Sequence, residues 1–282
     1  MRCNMQKLII TAALTGGIHG KEANPALPEQ PDEIIQAAYD CYNAGAAIVH
    51  IHARDKGGNQ TASKDIFATI NQGIKSKCSV IIQNTTGGPG LPVEERITSL
   101  DAHPDSASLN CGSVVFFYQG KQLPFHNYRH EIEAFAQAML QRTIKPELEV
   151  YNPSMFLEVE NLIAKNLLAP PYYINLVMGV NGMGGYPGTP ENFLTMLRHL
   201  PNNSICNVSG IGKYQLTMNT MAILTACNVR TGLEDNVFYH KGELATSNAQ
   251  LVERVVRLAK ELGRDIATPD EARTLLRIGE SS

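Results

Sequence analysis

No apolar stretch in this 282-residue chain approaches the roughly 18 residues that a membrane-spanning helix requires. The amino-terminal Met1–Lys7 lacks a signal-peptide layout, since the apolar run Leu8–Leu14 is short and passes straight into Thr15-Gly16-Gly17. Basic residues are scattered and the formal net charge is −3, which excludes an electrostatic grip on nucleic acid or an anionic membrane. None of the six cysteines (Cys3, Cys41, Cys78, Cys111, Cys206 and Cys227) belongs to a C-x-x-C pair, and several lie in apolar segments. Reduced, partly buried thiols are expected rather than a disulfide framework, and with them a cytoplasmic location. There is no linker, low-complexity tract or internal repeat, so a single domain over residues 1–282 is expected.

What the chain does contain is an alternation of short β-branched runs with longer helical patterns. The predicted strands are Leu8–Ala13, Ala47–Ile51, Ser79–Gln83, Ser106–Asn110, Glu147–Tyr151, Tyr173–Met178, Ser204–Val208 and Asn228–Thr231. Eight strands with intervening helices close a parallel (β/α)8 TIM barrel, which takes about 250 residues. A doubly wound open sheet is the competitor, but the glycine fingerprint that often follows its first strand is absent.

Helix punctuation fits the same scheme. Pro31-Asp32-Glu33 suits a first turn and Gly45 a C-terminal cap, while Thr268-Pro269-Asp270-Glu271 reads as a capping box. Leu251, Val252, Val255, Val256, Leu258, Ala259 and Leu262 form an apolar stripe at helical spacing, as for a helix packed on a barrel. Gly182–Gly188 is the loosest segment and follows a strand, where a mobile substrate loop belongs.

Four strand ends carry chemistry. In Ile48-Val49-His50-Ile51-His52 the alternation of a strand turns both imidazoles to one face, at the carboxyl-terminal mouth where barrel active sites lie. They read either as half of a metal site or as a pair of hydrogen-bonded rim histidines. Arg230, in the last strand, and Glu234 and Asp235, just beyond it, suggest a third ligand plus an acid–base group, or else a polar loop with a local ion pair. The hydroxyls and glycines of Thr85-Thr86-Gly87-Gly88 offer donors to a carboxylate or oxyanion, and Ser108 and Asn110 share a face by strand parity.

Those residues resemble the β-keto acid cleavage enzymes, whose founding activity is 3-keto-5-aminohexanoate cleavage in lysine fermentation. The likeness runs in order through Thr11–Gly16, Asn24–Pro28, Ala44–Asp55, Thr85–Gly88, Ser108–Gly112, Pro146–Val150, Val229–Asn236 and Ser247–Val252. It implies a TIM barrel with a divalent metal, usually Zn2+, on His50, His52 and Glu234, an Arg230–Asp235 catalytic pair, and a homotetramer. It also implies substrate contacts from Thr85, Gly88 and Ser108, with serine and threonine exchanged relative to the founding activity; Asn110 is added by parity. The implied reaction exchanges a β-keto acid with acetyl-CoA, giving acetoacetate and a new acyl-CoA, with Asp235 expected to take a methyl proton from acetyl-CoA. The rivals are a metal-dependent aldolase or hydrolase needing no CoA, and a non-catalytic metabolite sensor, which has no need of a base beside a metal. Ile18 stands where the aminohexanoate-cleaving member has an ammonium-binding glutamate. An aliphatic side chain cannot pair with an ammonium ion, so an uncharged tail is expected, with His19 as the alternative contact for a polar or anionic one.

Overall fold

The computed structural model describes residues 6–279. Eight parallel strands close into a barrel: β1 (Ile10–Ala13), β2 (Ile48–Ile51), β3 (Ile81–Asn84), β4 (Ser106–Asn110), β5 (Lys145–Val150), β6 (Tyr172–Met178), β7 (Ser204–Gly210) and β8 (Asn228–Thr231). Each strand pairs with its sequence neighbours and β1 closes on β8, through Ile10 with Val229 and Thr11 with Arg230. The fold expected from the sequence is therefore the one observed, with strand ends shifted by one or two residues. Among the described residues no helix is long and apolar enough to cross a membrane. Cys41, Cys78, Cys111, Cys206 and Cys227 are free thiols, as expected, and Cys3 lies outside the described residues.

Alternation along the strands separates two environments. Outward residues such as Ile10, Val49, Ile51, Ile82, Leu148 and Val208 join the core beneath the helices. Inward residues divide by height. Ile9, Ile48, Ile81 and Tyr173 meet Ala272 and Leu276 of the last helix, Pro269–Leu276, to make an apolar plug at the amino-terminal end. Above the plug the interior is polar: Gln83, Ser106, Glu147, Asn175 and Asn207 are buried there. Burying uncompensated polar groups is costly, so this composition points to a ligand site at the upper end of the barrel.

The outer helices begin and end where expected. Helix Pro31–Ala44 has proline in its first turn and stops at Gly45, whose φ of 111° lies in the left-handed region. Thr268 and Glu271 form the capping box. In helix Asn248–Glu261 the residues Leu251, Val252, Val255 and Ala259 are buried, each large one stabilising by about 1.5–3 kcal/mol. Leu262 departs from the stripe at 39% exposure, because the helix has already ended there.

Gly182–Gly188 requires correction. It is not a loose loop at its start, since Gly182–Met183 pairs antiparallel with the hairpin Val114–Tyr118/Lys121–Phe125. A side chain at Gly182 would place Cβ 1.8 Å from the Val115 carbonyl oxygen, so close strand contact accounts for the glycine. The hairpin follows β4 and leans over the barrel mouth, carrying Phe116, Phe117, Tyr118 and Phe125 to the cavity.

Candidate active site

A cavity of about 230 Å³ opens at the carboxyl-terminal mouth. The chain ends of the barrel meet in it, for β1 lies between β2 and β8. His50 and His52 both face it while Ile51 packs outward. Glu234 joins them from the loop after β8, and one ligand atom from each of the three lies within 4.8 Å of the others. His50 Nε2 is 3.7 Å from Glu234 Oε2, and His52 Nε2 is 3.4 Å from Glu234 Oε1.

The surroundings prepare these groups to hold a cation. His50 Nδ1 donates to Gln83 Oε1 at 2.7 Å, so the Nε2 lone pair faces the cavity. Gln83 is itself held by Ser106 Oγ at 3.3 Å, and Ser106 Oγ donates to the Lys145 carbonyl at 2.7 Å. Burial, aided by Arg230 and His52, pushes the His50 pKa down to about 3, so its ring is neutral near pH 7. For Glu234 burial acts upward, but Arg230 and the two imidazoles outweigh it and hold the carboxyl well below the usual carboxylate range. Glu234 Oε2 is buried without a hydrogen-bond partner among the described residues. An ionised carboxylate oxygen orphaned beside two imidazoles is what a bound divalent ion would satisfy, so the residues present fit one.

Arg230 organises the opposite wall. Its Nε and Nη2 donate to Asp235 Oδ2 and Oδ1 at 3.0 and 2.9 Å, a bidentate pair. Nη2 also donates to Glu234 Oε1 at 2.6 Å, and Nη1 to Glu149 Oε1 at 3.1 Å. Burial opposes the charge on Arg230, but Asp235, Glu234 and Glu149 more than offset it and raise its pKa. Burial raises the Asp235 pKa, with Arg230 acting downward and Glu234 upward. Neighbours on a strand point apart; Glu234 and Asp235 both reach Arg230 because the chain bends at Gly232, with φ of 149°. A Cβ at Gly232 would lie 2.0 Å from the Ala13 carbonyl oxygen, so no other residue fits without moving β1.

The remaining expected residues divide. Thr85, Gly88 and Asn110 line the cavity, and Thr85 Oγ1 accepts the Gly87 N–H at 2.8 Å. Ser108 does not line it: its carbonyl accepts the Thr86 hydroxyl at 2.6 Å, and its hydroxyl accepts the Thr86 N–H at 3.4 Å. Ile18 and His19 both line it. Glu149 and Tyr151 were not singled out from the sequence, although Glu147-x-Glu149-x-Tyr151 carries the parity signal that marks the histidines. The Tyr151 hydroxyl donates to Asn110 Oδ1 at 2.7 Å and lies 3.2 Å from Glu149 Oε2.

Glu147 lies deeper, fully buried, accepting from Asn207 Nδ2 at 2.7 Å, and burial raises its pKa to about 7. Since 4.5 is its ordinary value, its stability contribution is complete below pH 4.5 and is lost as pH rises to about 7. The loss is about 3 kcal/mol. Glu147→Gln mimics the protonated form and is expected to match the parent at pH 5 but to be more stable at pH 8. Urea unfolding at both pH values checks this, and an equal difference at both would count against it.

Comparison with known proteins agrees with this geometry. The family model described as beta-keto acid cleavage enzyme matches residues 7–278. The chain is 42% identical over 278 residues to a 3-keto-5-aminohexanoate cleavage enzyme of Acetoanaerobium sticklandii, covering 98% of this chain and 100% of the relative. It is 32% identical to a 3,5-dioxohexanoate:acetyl-CoA acetone transferase of Paraburkholderia graminis, covering 97% of this chain and 96% of the relative. The solved apo structure of ObcA is similar in fold, with TM-score 0.79 at 20% identity, over 91% of this chain and 66% of ObcA.

Proposed function

The chain belongs to the beta-keto acid cleavage enzyme family, transferases that cleave a carbon–carbon bond in an exchange with acetyl-CoA, and on that premise we propose its residue roles, its metal and its substrate tail. His50, His52 and Glu234 would hold a divalent ion, Zn2+ by the two-imidazole, one-carboxylate donor set. Such an ion, when bound, polarises the keto oxygen and carboxylate of the substrate. The observation that carries the reading is the bidentate Arg230–Asp235 pair beside that triad in one cavity.

Atom balance assigns the proton. The products are acetoacetate and a new acyl-CoA, so the acetyl group must end on C2 of the keto acid while its acyl portion ends on CoA. The bond formed joins C2 to the acetyl carbonyl carbon, and the bond broken joins C2 to C3. Attack by the acetyl-CoA methyl carbon, the expectation from the sequence, would expel acetate instead and yields no acetoacetate. Asp235 therefore removes a C2 proton of the keto acid, and its raised pKa makes it a stronger base than an ordinary aspartate. The C2 carbanion attacks the acetyl carbon and releases CoA thiolate; the thiolate attacks C3, C2 departs from C3, and Asp235 returns the proton to C2. Thr85, Asn110 and the backbone N–H groups near Gly88 hold the carboxylate and developing oxyanion. Ser108 acts through Thr86, which it braces.

The tail is uncharged. The carboxylates lining the cavity, Glu149, Glu234 and Asp235, all bond to Arg230, and Ile18, Phe116 and Phe125 supply apolar wall. An ammonium there would find no carboxylate that Arg230 does not already hold. We carry over the homotetramer from the family resemblance; the exposed Phe238 and Leu244 give copies an apolar contact. The test is a panel of β-keto acids with acetyl-CoA, run with metal analysis of the same sample. Acetoacetate release is expected from uncharged tails, at least about tenfold faster in kcat/KM than from the 5-amino substrate. A preference for the 5-amino substrate would overturn the tail assignment.

A further inference from the structure

One side chain in the cavity has no part in the chemistry above. Gln60 belongs to the short hairpin Ala53–Arg54/Gln60–Thr61 that follows β2, and its amide enters the cavity between two backbone segments. On one side a Cβ at Gly17 would lie 1.8 Å from Gln60 Oε1; on the other a Cβ at Gly88 would lie 2.7 Å from Gln60 Nε2. Neither glycine has a left-handed φ, so backbone conformation does not demand them. The amide fills the room their missing side chains leave.

Its hydrogen bonding is incomplete. Nε2 donates to the Gly87 carbonyl at 3.3 Å, and Oε1 has no protein partner among the described residues. Oε1 lies against Gly17, next to Ile18, whereas Nε2 faces the Gly87–Gly88 segment assigned to the carboxylate. The hairpin and the Gly16–His19 segment are tied together: Arg54 donates to the carbonyls of Gly16, of His19 at 2.6 Å and of Gly58 at 2.9 Å. The free acceptor is thus held in place beside an aliphatic side chain.

We propose that Gln60 reads the substrate tail, its free carbonyl oxygen accepting a hydrogen bond from an uncharged donor, so that the site selects a β-keto acid bearing a tail hydroxyl. The inference rests on the exchange reaction and uncharged tail proposed above. A neutral acceptor rewards a hydroxyl over a bare alkyl group, and it offers an ammonium a hydrogen bond but no counter-charge.

Three tails of one length decide it: 3-oxohexanoate and its 5-hydroxy and 5-amino derivatives, each with acetyl-CoA and the metal-loaded enzyme. The hydroxy compound is expected to exceed the alkyl one in kcat/KM by about tenfold, chiefly through KM. In Gln60→Leu that ratio falls toward one. Gly17→Ala, which drives the amide aside, produces the same fall. A ratio unmoved in both variants, or an equal loss for every tail, overturns the assignment, the latter because it marks a carboxylate contact. Calorimetric binding of the hydroxy and alkyl acids without acetyl-CoA gives the same ratio independently of turnover. If binding shows the Gln60-dependent preference but no acetoacetate forms, the exchange reading fails and the tail assignment stands.

Discussion

Replacing His50 with alanine is expected to remove both bound metal and turnover while leaving the barrel folded. The imidazole is 1% exposed, its ring is neutral, and Gln83 fixes the proton on the nitrogen that faces away from the cavity. Without it the site keeps one imidazole and one carboxylate, too few donors for a catalytic zinc site, which takes three protein ligands. Loss of an outer partner of a ligand costs about 10–100-fold in metal affinity, and loss of the ligand itself should exceed that. Gln83→Leu therefore serves as the graded control, weakening metal binding without abolishing it. The alanine variant also leaves Gln83 Oε1 without its imidazole donor, at about 1–3 kcal/mol, which a barrel closed by eight paired strands can absorb. Equilibrium dialysis with zinc, beside circular dichroism, checks both halves. Unchanged metal content would remove His50 from the ligand set.

How much of this site could be read from the sequence depends on how far apart its parts lie along the chain. His50 and His52 were legible because strand parity is local, and closure of a barrel must bring the carboxylates after the last strand beside the first, while the family resemblance singled out Glu234 among them. Glu149 was harder. It reaches Arg230 across 81 residues, and nothing local distinguishes an inward glutamate at a strand end from a solvated one. Gln60 and the hairpin phenylalanines were not legible at all, since they enter the cavity from excursions beyond the strands, whose placement depends on tertiary contacts. Gly182 misled for a related reason: glycine signals looseness in sequence, but here it admits a backbone into close antiparallel pairing. The adjacency of Glu234 and Asp235 conflicted with strand alternation until Gly232 supplied the bend.

Asp235→Asn is expected to separate the base from the metal. The carboxylate is 4% exposed and touches Arg230 through both oxygens, whereas the ligand set consists of other residues. Asparagine preserves volume but cannot accept a C2 proton, and its amide N–H groups oppose the guanidinium donors. Arg230 still keeps Glu149 and Glu234, so its charge remains compensated and the wall should hold its shape. The expected result is metal content equal to the parent and a fall in kcat of about 10²–10⁴-fold, the range spanned by general-base catalysis. A more direct readout is solvent deuterium uptake at C2 of the keto acid without acetyl-CoA: the parent enzyme should accelerate it above the spontaneous rate and the variant should not. Because Glu149 lies on the same guanidinium with its pKa also raised by burial, it is the group to which exchange would pass if the variant still catalysed it. Persistent exchange in Asp235→Asn, lost in Glu149→Gln, would move the base from the loop after β8 to β5.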